Sequence, residues 1–143
     1  MSFVMRPLVD ADVPQAVRLW HDVGLTRPWN DPEADIRRAR AVWPDLMLVA
    51  ADADDDALVG TVMAGYDGHR GWLYYLASAP TRRGERIGRT LVAEAEARLT
   101  ALGCPKVMLM VRSENDAVID YYRTDGYAAD EVAVLGKRLI PDA

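Results

Sequence analysis

The spacing of apolar and polar positions changes period along the chain, and each change marks an element. FVMRPL reads as a short strand. After it Asp10 caps a helix with Val13, Val17, Leu19 and Trp20 on one side, Pro14 in its first turn and Gly24 as its stop. The stretch LTRPWNDPEAD is irregular, and IRRARAVW is helix-like until Pro44. Three strand-like runs follow, LMLVAA, ALVGTVMAGY and WLYYLAS. The acidic turn around Asp54 to Asp56 and the turn Asp67-Gly68-His69-Arg70-Gly71 part them, which predicts an antiparallel meander. A helical period then takes over: TRRGERIGRTLVAEAEARLTALG lines up Ile87, Leu91, Ala95, Leu99 and Leu102 and ends at Gly103. KVMLMV is a continuous apolar run, so strand, helix and strand in succession predict a crossover with the two strands parallel. Asn115 and Asp116 open a short helix carrying Val118, Ile119 and Tyr122, and VAVLGKRLI reads as a last strand. The order β-α-α-β-β-β-α-β-α-β implies an α/β (α+β) fold with a mixed sheet.

Composition narrows the function classes. A chain of 143 residues, half of them hydrophobic and 27% charged, suits a single domain over 1–143 with a packed core. A formal net charge of −5 argues against nucleic acid as a partner, although a local basic cluster can still hold a small phosphorylated ligand. There is no apolar run of ~18 residues and no secretory pattern in MSFVMRPLVD, so no membrane partner and a cytoplasmic location are expected. Cys104 is the only cysteine, which excludes an internal disulfide. With His21 and His69 it makes a thin inventory for a metal site, and none is expected.

The segment RRGERIGR, between a strand and the strongest helix, carries the most chemistry. A helix N-terminus presents unpaired N–H groups and partial positive charge, Gly84 and Gly88 allow close approach to the main chain, and Arg82, Arg83, Arg86 and Arg89 add charge. This is either a pyrophosphate cradle or a solvated basic helix start. It lacks the Gly-Lys-Ser/Thr ending of a P-loop and the third glycine of a Rossmann fingerprint.

Here the sequence resembles the GCN5-related N-acetyltransferase (GNAT) family over almost its whole length. The family signature Arg/Gln-x-x-Gly-x-Gly/Ala maps onto Arg83, Gly84, Glu85, Arg86, Ile87 and Gly88. The strand YYLAS before it, the long helix, Asn115 after the next strand, and DYYRTDGY in place of Phe-Tyr-x-x-x-Gly-Phe/Tyr agree with the pattern. RPWNDPEAD, VGTVMAGYDGHRG and GCPKV are similar to stretches of a small bacterial subgroup of the YpeA type. Arg86 replaces the middle glycine; read as a residue of the first helical turn, it needs only right-handed dihedrals and serves through its main-chain N–H.

The resemblance implies a central mixed, mostly antiparallel sheet of six to seven strands flanked by about four helices and splayed between strands 4 and 5. It implies acetyl-CoA as co-substrate and an amine as acceptor, on a small metabolite or on a protein, in a direct ternary complex. By the same resemblance Leu76, Ala77 and Ser78 pair with the pantetheine arm, and Arg83 to Arg89 hold the phosphates. Asn115 bonds the arm or caps the helix after it, or both. Tyr122 protonates the departing thiolate, in preference to Tyr121; otherwise it is a core tyrosine. Trp29, Asn30, Asp31, Tyr66 and Tyr74 are the acceptor-side candidates, with Trp29 to Asp31 equally readable as an exposed loop and helix cap. The base is left open among Asp31, Asp67 and a water chain past Tyr74. Dimers are common in the family, so a second copy is a candidate partner. The alternative function is a catalytically silent CoA-binding module.

Overall fold

A computed structural model describes residues 2–142. The chain runs β1 (Phe3–Pro7), a 3-10 turn (Asp10–Asp12), α1 (Val13–Asp22), α2 (Pro32–Val42), β2 (Met47–Asp52), β3 (Leu58–Tyr66), β4 (Gly71–Ser78), α3 (Ile87–Ala101), β5 (Val107–Leu109) and α4 (Asp116–Thr124). These strands form one sheet in the order β1-β2-β3-β4-β5, antiparallel except for the parallel pair β4–β5.

Strand β2 is apolar on both faces because it serves two cores. Leu48 and Ala50 pack with Val62, Leu73, Leu91 and Leu99 toward α3, while Met47 and Val49 pack with Trp20, Ile36 and Met63 toward α1 and α2. Gly60 decides how closely α3 sits on the sheet: a Cβ there would lie 2.6 Å from Ile87 Cγ2 and 2.9 Å from Leu91 Cδ1. The first turn of α3 therefore rests directly on β3, beside the C-terminal end of β4. Among the described residues no helix is long and apolar enough to cross a membrane.

Two expectations are corrected. Among the described residues the sheet has five strands, not six or seven, and VAVLGKRLI forms no strand. β5 spans three residues, so its outer edge offers little backbone for a further strand to pair with. The tail is held instead by polar side chains, Lys106 to Asp130 (3.0 Å) and Arg38 to Asp142 (3.0 Å), leaving Leu135 and Leu139 exposed. The second correction concerns Arg86, which is left-handed (φ 60°, ψ 31°), not right-handed. It stands before the helix, as the N-cap residue, where the chain turns out of the loop containing Gly84 (φ +87°). A side chain in that conformation costs about 1–2 kcal/mol, which explains the family's glycine at this position.

Candidate active site

β4 is paired on both sides only in its first half. Its register with β5 runs Gly71↔Val107 to Leu73↔Leu109 and stops, so Tyr74 to Ser78 face a gap. On the other side the register with β3 passes from Met63↔Tyr74 to Thr61↔Ala77, three steps on β4 against two on β3. That bulge is centred on Tyr75, whose φ is 52°. Splay and bulge together release main-chain groups of β4 from the sheet.

The N-terminus of α3 points into the same gap. A cavity of about 670 Å³, within the usual range for a small-molecule site, is lined by Leu76, Ala77 and Ser78 on β4. Its other walls are Arg82, Arg83, Gly84 and Arg86 of the loop, Ile87, Gly88 and Arg89 of α3, and Tyr121 of α4. Among the described residues no side chain caps α3, so its first N–H groups are open to the cavity. The four arginines divide by role. Arg82 is committed to Glu85 (2.8 Å) and Asp52 (2.8 Å), tying the loop to the end of β2. Arg83, Arg86 and Arg89 form no ion pair among the described residues; Arg89 lies over the Tyr121 ring, 5.7 Å from its centroid. Glu85, paired with Arg82, does not line the cavity. A Cβ on Gly88 would meet only Leu76 Cδ1 and Tyr121 Oη, both at 4.0 Å, so a longer side chain there would fill the cradle. Free cations, open N–H groups and a wall without a side chain suit a phosphorylated ligand such as CoA.

α4 places two tyrosines differently. Tyr121 lines the cavity, whereas Tyr122 is 8% exposed and packs edge-on against Tyr121 (5.1 Å) and Tyr127 (5.5 Å). Burial pushes the Tyr122 phenol up to about 12, so it holds its proton at neutral pH, and its hydroxyl has no hydrogen-bond partner among the described residues. Asn115 is exposed, and its side chain accepts from Val118 N (3.4 Å) as the cap of α4.

The acceptor-side candidates do not line the cavity. Trp29 is exposed, Asn30 accepts from Arg138 (3.4 Å), and Asp31 caps α2 by accepting from Ala34 N (3.1 Å). Tyr66 sits at the far end of β3, opposite Gly71, its hydroxyl donating to Gly68 O (3.2 Å). Tyr74 is exposed on β4 beside Trp72, and partial burial with the nearby Asp67 charge raises its phenol. Asp67 accepts from the N–H groups of His69 and Arg70 and is held below the usual carboxylate range by them. Sequence reasoning gave Thr61 and Trp20 no place beside the bulge, and read Asp35 only as acceptor-side charge or an acidic helix start; a threonine inside the apolar run LVGTVMAGY was the available signal.

Residues 15–127 match the family model for the acetyltransferase (GNAT) family. The chain belongs to that family. It is 50% identical over 132 residues, 92% of each chain, to the acetyltransferase SG1711 of Sodalis glossinidius, and 46% identical over 138 residues, 96% of each chain, to the acetyltransferase YE1169 of Yersinia enterocolitica. Among solved structures, the NatC complex bound to Gag peptide and CoA is similar with a TM-score of 0.76 and 26% identity, covering 87% of this chain and 84% of that one. Ard1 from Thermoplasma volcanium shares the fold at a TM-score of 0.78 and 21% identity, over 90% of this chain and 84% of its own. The GNAT membership makes this an acyltransferase and gives acetyl transfer as its general chemistry.

Proposed function

We propose that this GNAT protein transfers the acetyl group of acetyl-CoA directly to an amine, of a small metabolite or of a protein, with both substrates bound together. One observation carries this: the uncapped, arginine-rich start of α3 opens into the gap beside the unpaired half of β4. Arg83 and Arg89 hold phosphate charge, with the N–H groups at Arg86 to Gly88 beneath them. Leu76 to Ser78 offer an edge to an extended, amide-bearing arm, and an N–H of this segment stabilises negative charge on the acyl oxygen. Tyr122 donates a proton to the departing sulfur. Because its phenol is raised to about 12, turnover should show no tyrosine titration between about pH 7 and 10. Asp31 and Asp67 are engaged with main-chain N–H groups, so the amine proton leaves through solvent past Tyr74. The reading includes a cytoplasmic setting, a homodimer, and no nucleic acid, membrane or metal.

The test is thermal melting with acetyl-CoA, followed by thiol release over a panel of amines. The melting temperature should rise with ligand concentration, and at least one amine should drive turnover. No shift at millimolar acetyl-CoA would sink the proposal; a shift without turnover on any amine would leave a silent CoA-binding module. Tyr121 is a second reading for the proton donor because it lines the cavity. Tyr122→Phe should lower turnover with acetyl-CoA affinity nearly intact; loss in Tyr121→Phe alone would transfer the role.

A further inference from the structure

The bulge in β4 is held from behind by a relay whose direction is fixed by chemistry. Trp20 and Thr61 are both fully buried. Trp20 Nε1 lies 2.7 Å from Thr61 Oγ1, which lies 2.8 Å from the carbonyl oxygen of Tyr75. An indole N–H can only donate and a carbonyl can only accept, so the single Thr61 proton must go to Tyr75. The Tyr75 side chain is fixed as well: its ring stacks on Trp20 at 3.9 Å and its hydroxyl donates to Asp35 Oδ2 (2.6 Å). A tyrosine at φ 52° persists only where its surroundings over-determine it, and here three contacts from α1, α2 and β3 do so.

The consequence falls on the next residue. In a planar trans peptide the N–H points opposite to the carbonyl of the same unit. Thr61 on β3 draws the Tyr75 carbonyl toward β3, so the Leu76 N–H is aimed away from it, into the gap where pairing with β5 has ended.

We propose that Thr61, backed by Trp20, is a positioning residue that holds the Tyr75–Leu76 peptide so that the Leu76 N–H faces the acyl group. This rests on the acetyl-transfer reading and adds a residue outside the cleft to it. Thr61 contacts no substrate. It acts through the peptide it holds, so its loss should weaken turnover rather than binding.

The experiment compares Thr61→Val, Thr61→Ser and Trp20→Phe with the native chain by kcat, by the Kd for acetyl-CoA, and by thermal melting. Thr61→Val keeps the shape and removes the proton; kcat should fall at least tenfold with Kd changed less than threefold. Thr61→Ser restores the hydroxyl and should return kcat to within about threefold of native. Trp20→Phe leaves Thr61 able to donate but unanchored, and should lower kcat about threefold to fivefold at unchanged Kd. A folded Thr61→Val with native kcat overturns the proposal, as does a Thr61→Ser as impaired as the valine variant. If Thr61→Val does not fold, the other two decide: a native kcat in Trp20→Phe overturns it, and the expected fall with a near-native serine variant upholds it. Absence of turnover in the native chain on every amine defeats the acetyl-transfer reading instead, a separate result.

Discussion

Two helix starts in this molecule face the same physical problem and solve it in opposite ways. α2 begins after Asp31, whose side chain accepts from Ala34 N, with Pro32 at the first position and Glu33 and Asp35 in the first turn. Its orphan donors and positive end are served by its own residues, and the end is closed. α3 begins after a left-handed Arg86 with no capping side chain and no acid in its first turn, flanked by Arg83 and Arg89. Its orphan N–H groups and surplus charge have no partner within the described residues. A helix end so arranged gives up stability unless an anion completes it; on the proposed function, α2 has a structural terminus and α3 a binding one.

The comparison can be broken most severely at Gly88. Gly88→Leu replaces a helical glycine with a good helix former, so stability should hold or rise by up to about 1 kcal/mol. The side chain would enter the cradle, and CoA affinity by calorimetry should fall at least a hundredfold. Next in size, Arg83→Ala and Arg89→Ala should each weaken CoA binding about tenfold and flatten its salt dependence, with melting temperature unchanged. The opposite pattern belongs to α2: Asp31→Ala should cost about 1 kcal/mol of stability in denaturant titration and leave CoA affinity untouched. Smallest is Arg86→Gly. Relief of the left-handed strain is partly offset by greater freedom of the unfolded chain, giving a gain of up to about 1 kcal/mol, with CoA affinity within threefold of native.

How much of this was legible in the sequence follows from what each feature depends on. The meander, the crossover and both helix faces were readable because burial imposes its pattern on the residues themselves, as in the continuous apolar run of β2 and the helical spacing of Ile87, Leu91, Ala95 and Leu99 in α3. That Arg83, Gly84, Gly88 and Arg89 line one cavity was readable from their closeness in sequence at a strand-to-helix junction. The Arg86 conformation was misjudged by a single position: within the helix arginine needs no special dihedral, one residue earlier it does. The tail was misread because VAVLGKRLI has a strand's composition, while pairing needs a partner edge, and that depends on where β5 stops. The bulge at Tyr75 left no local mark either, since Trp20, Thr61 and Asp35 meet it from 14 to 55 positions away along the chain.

The central claim is that the open start of α3 is a built site for the phosphates of CoA. Calorimetric titration of the native chain with CoA, at about 50 mM and about 500 mM salt, tests it most directly. Saturable binding that weakens with salt in the native chain, and is absent from a folded Gly88→Leu, is the predicted result. No binding up to millimolar CoA, or binding indifferent to both salt and Gly88→Leu, would contradict it.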